Sequence, residues 1–94
     1  MRSLVAVIRR RVVIHGSVQG VGFRFSAACA ARQYGVAGWI RNRGDGTVEV
    51  AFEGEPDAVD AMLRWCEQGP RGAVVERVDV REEPPEGASD FRID

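Results

Sequence analysis

Val12-Val13-Ile14-His15 runs directly into Gly16-Ser17-Val18-Gln19-Gly20-Val21-Gly22, and Phe23-Arg24 then opens a series of apolar residues, Phe23, Ala27, Ala30 and Tyr34, at helical spacing. The β-branched run predicts a strand ending near His15, which Leu4–Ile8 would extend toward the amino terminus. Three glycines in the next seven residues are too many for a regular element. Its valines are too apolar for a simple solvated turn, so a structured loop is expected. Intervals of four, three and four place Phe23, Ala27, Ala30 and Tyr34 on one helix face, and Gly35 is the natural stop. Strand, ordered loop and helix in immediate succession set the frame for the remainder of the chain.

Working outward, Val36–Ile40 resumes β character, and Arg43-Gly44-Asp45-Gly46 carries the Asp-Gly signal of a reversal between antiparallel strands. In the next strand Val48, Val50 and Phe52 alternate with Thr47, Glu49 and Glu53, which predicts a sheet with one wet face. Pro56 sits where a helix tolerates it, in the first turn, and Val59, Met62, Leu63 and Cys66 follow at i, i+3, i+4 and i+7. Gly69-Pro70 closes this second helix. Val75, Val78 and Val80 indicate a fourth strand whose starting register the pattern does not fix, and Pro84-Pro85 ends it. A short fifth strand is predicted at Phe91–Ile93. The order β-α-β-β-α-β suits a split βαβ sandwich, an α+β domain with two helices on one face of an antiparallel sheet. Right-handed crossover makes the first two strands parallel with the third between them, so both end at the same edge.

The chain has 94 residues, enough for one core, and residues 1–94 are read as a single domain. All thirteen basic residues are arginines, but fourteen carboxylates leave a net charge of −1. No overall field would recruit nucleic acid, so any anion site has to be local. Cys29 and Cys66 share no zinc or dithiol spacing and are expected to be two buried thiols. Leu4–Ile8 is too short for a membrane span or a signal-peptide core. The expectations are therefore a cytoplasmic monomer with no membrane, nucleic-acid, metal or cofactor partner.

Positive-φ glycines let consecutive N–H groups converge on an anion, and a helix starting immediately afterward adds unpaired N–H groups and a dipole of the right sign. The candidate phosphate-binding donors are the main-chain groups of Val18, Gln19, Gly20, Val21, Gly22 and Phe23. Arg24 stands at the junction, with a planar fork that matches two phosphate oxygens. A Gly-rich turn before a helix is a weak signal alone, and the Walker ending is absent. Topology brings in Asn42: one intervening strand sets the first two about 10 Å apart, a gap that fits a phosphate and a water.

Gly16-Ser17-Val18-Gln19-Gly20-Val21-Gly22-Phe23-Arg24 resembles the first signature of the acylphosphatase family. Gly38-Trp39-Ile40-Arg41-Asn42, with Asp45-Gly46-Thr47-Val48-Glu49-Val50, resembles the second. The similarity extends to the Gly-Pro after the second helix and the terminal Phe91-Arg92-Ile93. It implies a ferredoxin-like fold and hydrolysis of small-molecule acyl phosphates to carboxylate and inorganic phosphate, without metal or covalent intermediate. In that implied chemistry Arg24 binds phosphate and Asn42 positions the attacking water. Ser17 departs from the pattern, where the family usually has Arg. A weaker electrostatic pull on substrate is expected there, with activity retained.

His15 is the one side chain whose ordinary titration range lies near neutrality, but it sits at a strand end and a packed or hydrogen-bonded role is expected rather than catalysis. Asp57, Asp60, Arg64 and Glu67 read as the solvated face of the second helix, and Trp39 and Trp65 as core margins. Two rival functions share this layout: a non-catalytic module that holds a small metabolite or phosphate, and an RNA-binding sheet. The latter would want aromatics on a basic sheet face, whereas Phe52 lies between Glu49 and Glu53. Similar domains are also fused to a carbamoyl-transfer enzyme of hydrogenase maturation. The acyl group itself is not legible.

Overall fold

The computed structural model describes residues 6–94. The elements are β1 (Ile8–Ser17), α1 (Phe23–Tyr34), β2 (Ala37–Asn42), β3 (Val48–Gly54), α2 (Pro56–Gln68), β4 (Val74–Glu83) and β5 (Phe91–Ile93). They form one sheet in the order β4-β1-β3-β2-β5. β3 pairs antiparallel with both β1 and β2, so β1 and β2 run parallel on either side of it, as the crossover argument requires. β5 adds to β2 in parallel, which makes the sheet mixed rather than wholly antiparallel.

The first strand differs from its sequence reading at both ends. It begins at Ile8, while Leu4 and Val5 of the anticipated extension lie outside the described residues. It continues past His15 to Ser17 through a bulge between His15 and Gly16. Gly16 permits this because the chain approaches β4 closely. A Cβ at Gly16 would sit 2.1 Å from the carbonyl oxygen of Val74, a contact no side chain tolerates. The bulge shortens the free loop to Val18–Gly22.

Both helices cover one face. α1 packs over β2 and β5, α2 over β1 and β4, and the helices touch each other. Val12, Ile14, Ile40, Val48, Val50, Phe52 and Phe91 point up from the sheet to meet Phe23, Ala27, Ala30, Ala31, Val59, Met62 and Cys66. Alanines on α1 let that helix approach the strands closely, and the Phe23 and Trp65 rings pack T-shaped with centroids 5.3 Å apart. Cys66 is fully buried, and desolvation pushes its thiol up to about 12. Cys29 is exposed, contrary to the expected pair of buried thiols: it follows Ala28 on the solvent side of α1. Among the described residues no helix is long and apolar enough to cross a membrane.

The helix-free face is where alternation misleads. Glu49 and Glu53 occupy the predicted wet positions, yet only 7% and 4% of their surface is exposed. Arginines from neighbouring strands cover them. Arg9 bridges Glu53 at 2.5 Å and Glu83 at 2.6 Å, and Arg11 reaches Glu83 and Glu49. Arg41 holds Glu49 from the other side at 2.7 Å. Arg11 and Arg41 also lie over the Trp39 ring, 5.2 and 5.3 Å from its centroid, so Trp39 belongs to this layer rather than to a core margin. Glu53 additionally accepts the N–H groups of Glu86 and Gly87, tying the segment after β4 onto the sheet.

Burial by itself pushes the carboxyls of Glu49, Glu53 and Glu83 up, but the arginine and main-chain hydrogen bonds outweigh it and hold all three below the usual value of 4.5. A carboxyl depressed on folding stabilises fully above its unfolded value and loses that contribution as pH falls through the folded value. Unfolding free energy should therefore be level from about pH 7 to about pH 5 and fall below about pH 4. Glu53→Gln should cost about 2 kcal/mol in urea denaturation at neutral pH and flatten the acid limb. An acid limb unchanged in the variant would show that this lattice does not carry the dependence.

Candidate active site

β1 delivers the chain to its end through the Gly16 bulge, and Val18, with no exposed surface, anchors the following loop in the core. Gly20 and Gly22 adopt φ of 76° and 73°, the left-handed region that side chains avoid. Gly22 caps α1 in this conformation, so the chain turns from loop into helix at one residue. Among the described residues, none of the N–H groups from Val18 to Phe23 donates to a protein acceptor. They form a run of unpaired donors next to a helix start.

Arg24 and Asn42 line one cavity of about 230 Å³, with Val18, Gly20, Gly22, Phe23, Phe25 and Ile93. Side-chain alternation explains Asn42. It ends β2 two residues after buried Ile40, so it projects from the same sheet face, toward the start of α1. The structure thus brings together the loop, Arg24 and Asn42, although 18 residues separate the two side chains in sequence. Of the six anticipated loop positions, Val18, Gly20, Gly22 and Phe23 face this cavity. Val21 packs toward the core.

Gln19 does something its sequence position does not reveal. Its Nε2 donates to the carbonyl oxygens of Arg43 at 2.8 Å and Thr47 at 2.9 Å, clamping the loop to the β2–β3 turn that directly follows Asn42. The turn is itself tightened by Asp45, whose Oδ1 accepts from the hydroxyl and the N–H of Thr47. These bonds, the hydroxyl's foremost, hold the Asp45 carboxyl below its usual range. Asp-Gly signals the turn, but a side chain reaching 24 residues along the sequence leaves no local signature.

Arg24 is also tethered. Its Nη1 donates to the main-chain oxygen of Asp94 at 3.0 Å, while the N–H of Asp94 donates to Ile40 at 2.8 Å. β5 is thereby fastened both to β2 and to the arginine, and Ile93 is placed at the cavity mouth. Sequence patterning points neither to this tether nor to Ile93 and Phe25 as lining residues.

His15 lies elsewhere, on the helix-free face. Its Nε2 is 2.9 Å from Asp79, a contact that, with Arg77 alongside, holds the Asp79 carboxyl below its ordinary range. A larger concavity of about 420 Å³ on that face is lined by Arg11, Arg41, Arg43, Arg81, Glu49 and Asp79, with Val13 and Val80. It shares no residue with the loop cavity. Arg11 and Arg41 are engaged with Glu49 there, so size alone does not make it the reactive site. Ser17 ends β1 exposed to solvent and pairs with Val74.

The acylphosphatase family model matches residues 10–93. An acylphosphatase of Synechococcus sp. (strain JA-2-3B'a(2-13)) is 56% identical over 86 residues, 92% of each chain. The structure of an acylphosphatase from Coxiella burnetii superposes with a TM-score of 0.90 at 35% identity, covering 94% of this chain and 93% of that one. Full-length HypF in its phosphate- and nucleotide-bound form contains a similar region, at a TM-score of 0.86 and 29% identity over 97% of this chain and 12% of that protein. The chain belongs to the acylphosphatase family and is an enzyme of acyl phosphate hydrolysis.

Proposed function

We propose that this enzyme cleaves acyl phosphates by in-line attack of a water positioned by Asn42 on a phosphoryl group gripped by Arg24 and the N–H groups of Val18–Phe23. The observation that carries this reading is the shared cavity: free main-chain donors, a guanidinium and a carboxamide around one space of about 230 Å³. The chemistry asks for little else. Water adds to phosphorus while the bond from phosphorus to the acyl oxygen breaks, and the electron pair leaves on a carboxylate. A carboxylate is a weak base and needs no general acid. What remains is to hold the phosphoryl group, spread its charge and aim the water. Asn42 orients the water without deprotonating it, since an amide is too weak a base. The proton passes to a phosphate oxygen and leaves with inorganic phosphate. No metal enters this scheme, and the substrate is a small molecule taken up by a single chain.

Turnover of benzoyl phosphate tests the assignment. Arg24→Ala and Asn42→Ala should each lower kcat by about 10²- to 10³-fold while remaining folded. His15→Ala should stay within about twofold of wild type, because its partner is Asp79 on the far face. Wild-type rates should be indifferent to excess chelator. Full activity in folded Arg24→Ala, or collapse in His15→Ala, would reassign the site.

Gln19 provides a second test, since the clamp sets the distance between loop and Asn42. Gln19→Ala should reduce kcat about tenfold and stability by about 1–2 kcal/mol, the worth of two hydrogen bonds to main-chain carbonyls. A loss of stability with unaltered kcat would mean that the clamp holds the fold but not the geometry of attack.

A further inference from the structure

Phe25 and Ile93 are large apolar side chains left in solvent, with 68% and 43% of their surfaces exposed. Five large hydrophobics are this exposed among the described residues, and these two alone flank the cavity that holds Arg24 and Asn42. Helix geometry accounts for Phe25. Two residues after Phe23 the helix has turned about 200°, so while Phe23 packs on Trp65, Phe25 faces outward and gives the core nothing. Ile93 is held by its pairing with Ile40 and by the Arg24 hydrogen bond to Asp94, the next residue. The guanidinium and the apolar rim are therefore fixed by the same contact.

We propose that Phe25 and Ile93 form an acyl-binding lip that favours acyl phosphates whose acyl group is aromatic or bulky and apolar. This rests on the hydrolytic reading above. If the phosphoryl group takes the floor of unpaired N–H donors, the acyl substituent has to project through the mouth. Apolar carbon at that mouth comes from these two side chains. The cavity, at about 230 Å³, is smaller than the roughly 300 Å³ at which pockets begin to enclose a drug-sized ligand. A benzoyl group would lie across the rim, its ring against Phe25 and the Ile93 methyls, whereas an acetyl group is too small to reach both. Contact with an open lip gives moderate discrimination rather than exclusion.

The test compares kcat/KM for benzoyl phosphate and acetyl phosphate in wild type, Phe25→Ser, Ile93→Ser and the double variant, with inhibition by inorganic phosphate measured in each. The benzoyl-to-acetyl ratio should fall about three- to fivefold in each single variant and about tenfold in the double. Phe25→Tyr, which keeps the ring, should retain the wild-type ratio. Inorganic phosphate, which has no acyl group, should inhibit all of them with constants within about twofold of each other. A double variant with the wild-type ratio would overturn the lip. So would a parallel loss toward both substrates and phosphate, which would mark a structural role instead. Wild-type inactivity toward both substrates would sink the hydrolytic reading and the lip with it.

Discussion

The pairing of β3 with β1 on one side and β2 on the other is the constraint from which the site follows. An antiparallel strand between two parallel ones forces their carboxyl ends to the same edge, separated by about two strand spacings. That separation is too wide for direct contact and leaves the cavity of about 230 Å³ between the two ends. Each end is then finished differently. β1 runs through a glycine bulge into a loop whose donors point nowhere within the protein, and β2 stops at Asn42 with its side chain on the helix side. Gln19 spans the gap, so the two halves are joined by a bond as well as by the sheet.

The opposite face explains how so small a sheet is sealed without a second helical layer. Guanidinium groups pair with carboxylates and sit over the Trp39 ring, and long arginine stems of this kind can cover the strands beneath. Arginine suits this role because its fork bridges two carboxylates at once, as Arg9 does between Glu53 and Glu83. The all-arginine composition has a structural use here that net charge alone would never suggest. Such a lattice is sensitive to acid, because each carboxylate has to remain ionised to hold its arginines.

Much of this is legible in the chain. Gly35, Pro56 and Gly69 mark helix ends through local main-chain rules, and α1 stops at Gly35 while α2 starts at Pro56 and stops before Gly69. The two signatures point to Arg24 and Asn42, and the topology argument gives a reason for their meeting. What escapes is everything that depends on contact between distant residues. Period-two alternation correctly separates the two sheet faces, but it cannot tell a face covered by water from one covered by arginines, which is why Glu49 and Glu53 look wet in sequence and are buried in the fold. Helical spacing turns Ala27 and Ala30 inward, and the small-hydrophobe expectation for cysteine has no means of seeing that Cys29 falls on the outer side of the same helix. The bulge at Gly16, the Gln19 clamp and the Arg24–Asp94 tether each join segments far apart in sequence.

A site built this way divides its labour unevenly between backbone and side chains. In the proposed mechanism most phosphate donors are N–H groups, whose positions depend on φ at Gly20 and Gly22 and on the buried anchor Val18, not on the chemistry of neighbouring side chains. Substitution at an exposed strand end such as Ser17 then alters the local potential felt by an approaching dianion while leaving the donors in place. The side chains that meet the substrate are few and their roles do not overlap. In that proposed mechanism Arg24 supplies charge and Asn42 aims water, and in the proposed lip Phe25 with Ile93 contact whatever is attached to the phosphate. Because the lip lies outside the cradle and contributes nothing to the core, it is the part of the site that can change without disturbing either the fold or the phosphoryl grip. Specificity for the acyl group is therefore the property most free to vary on this scaffold.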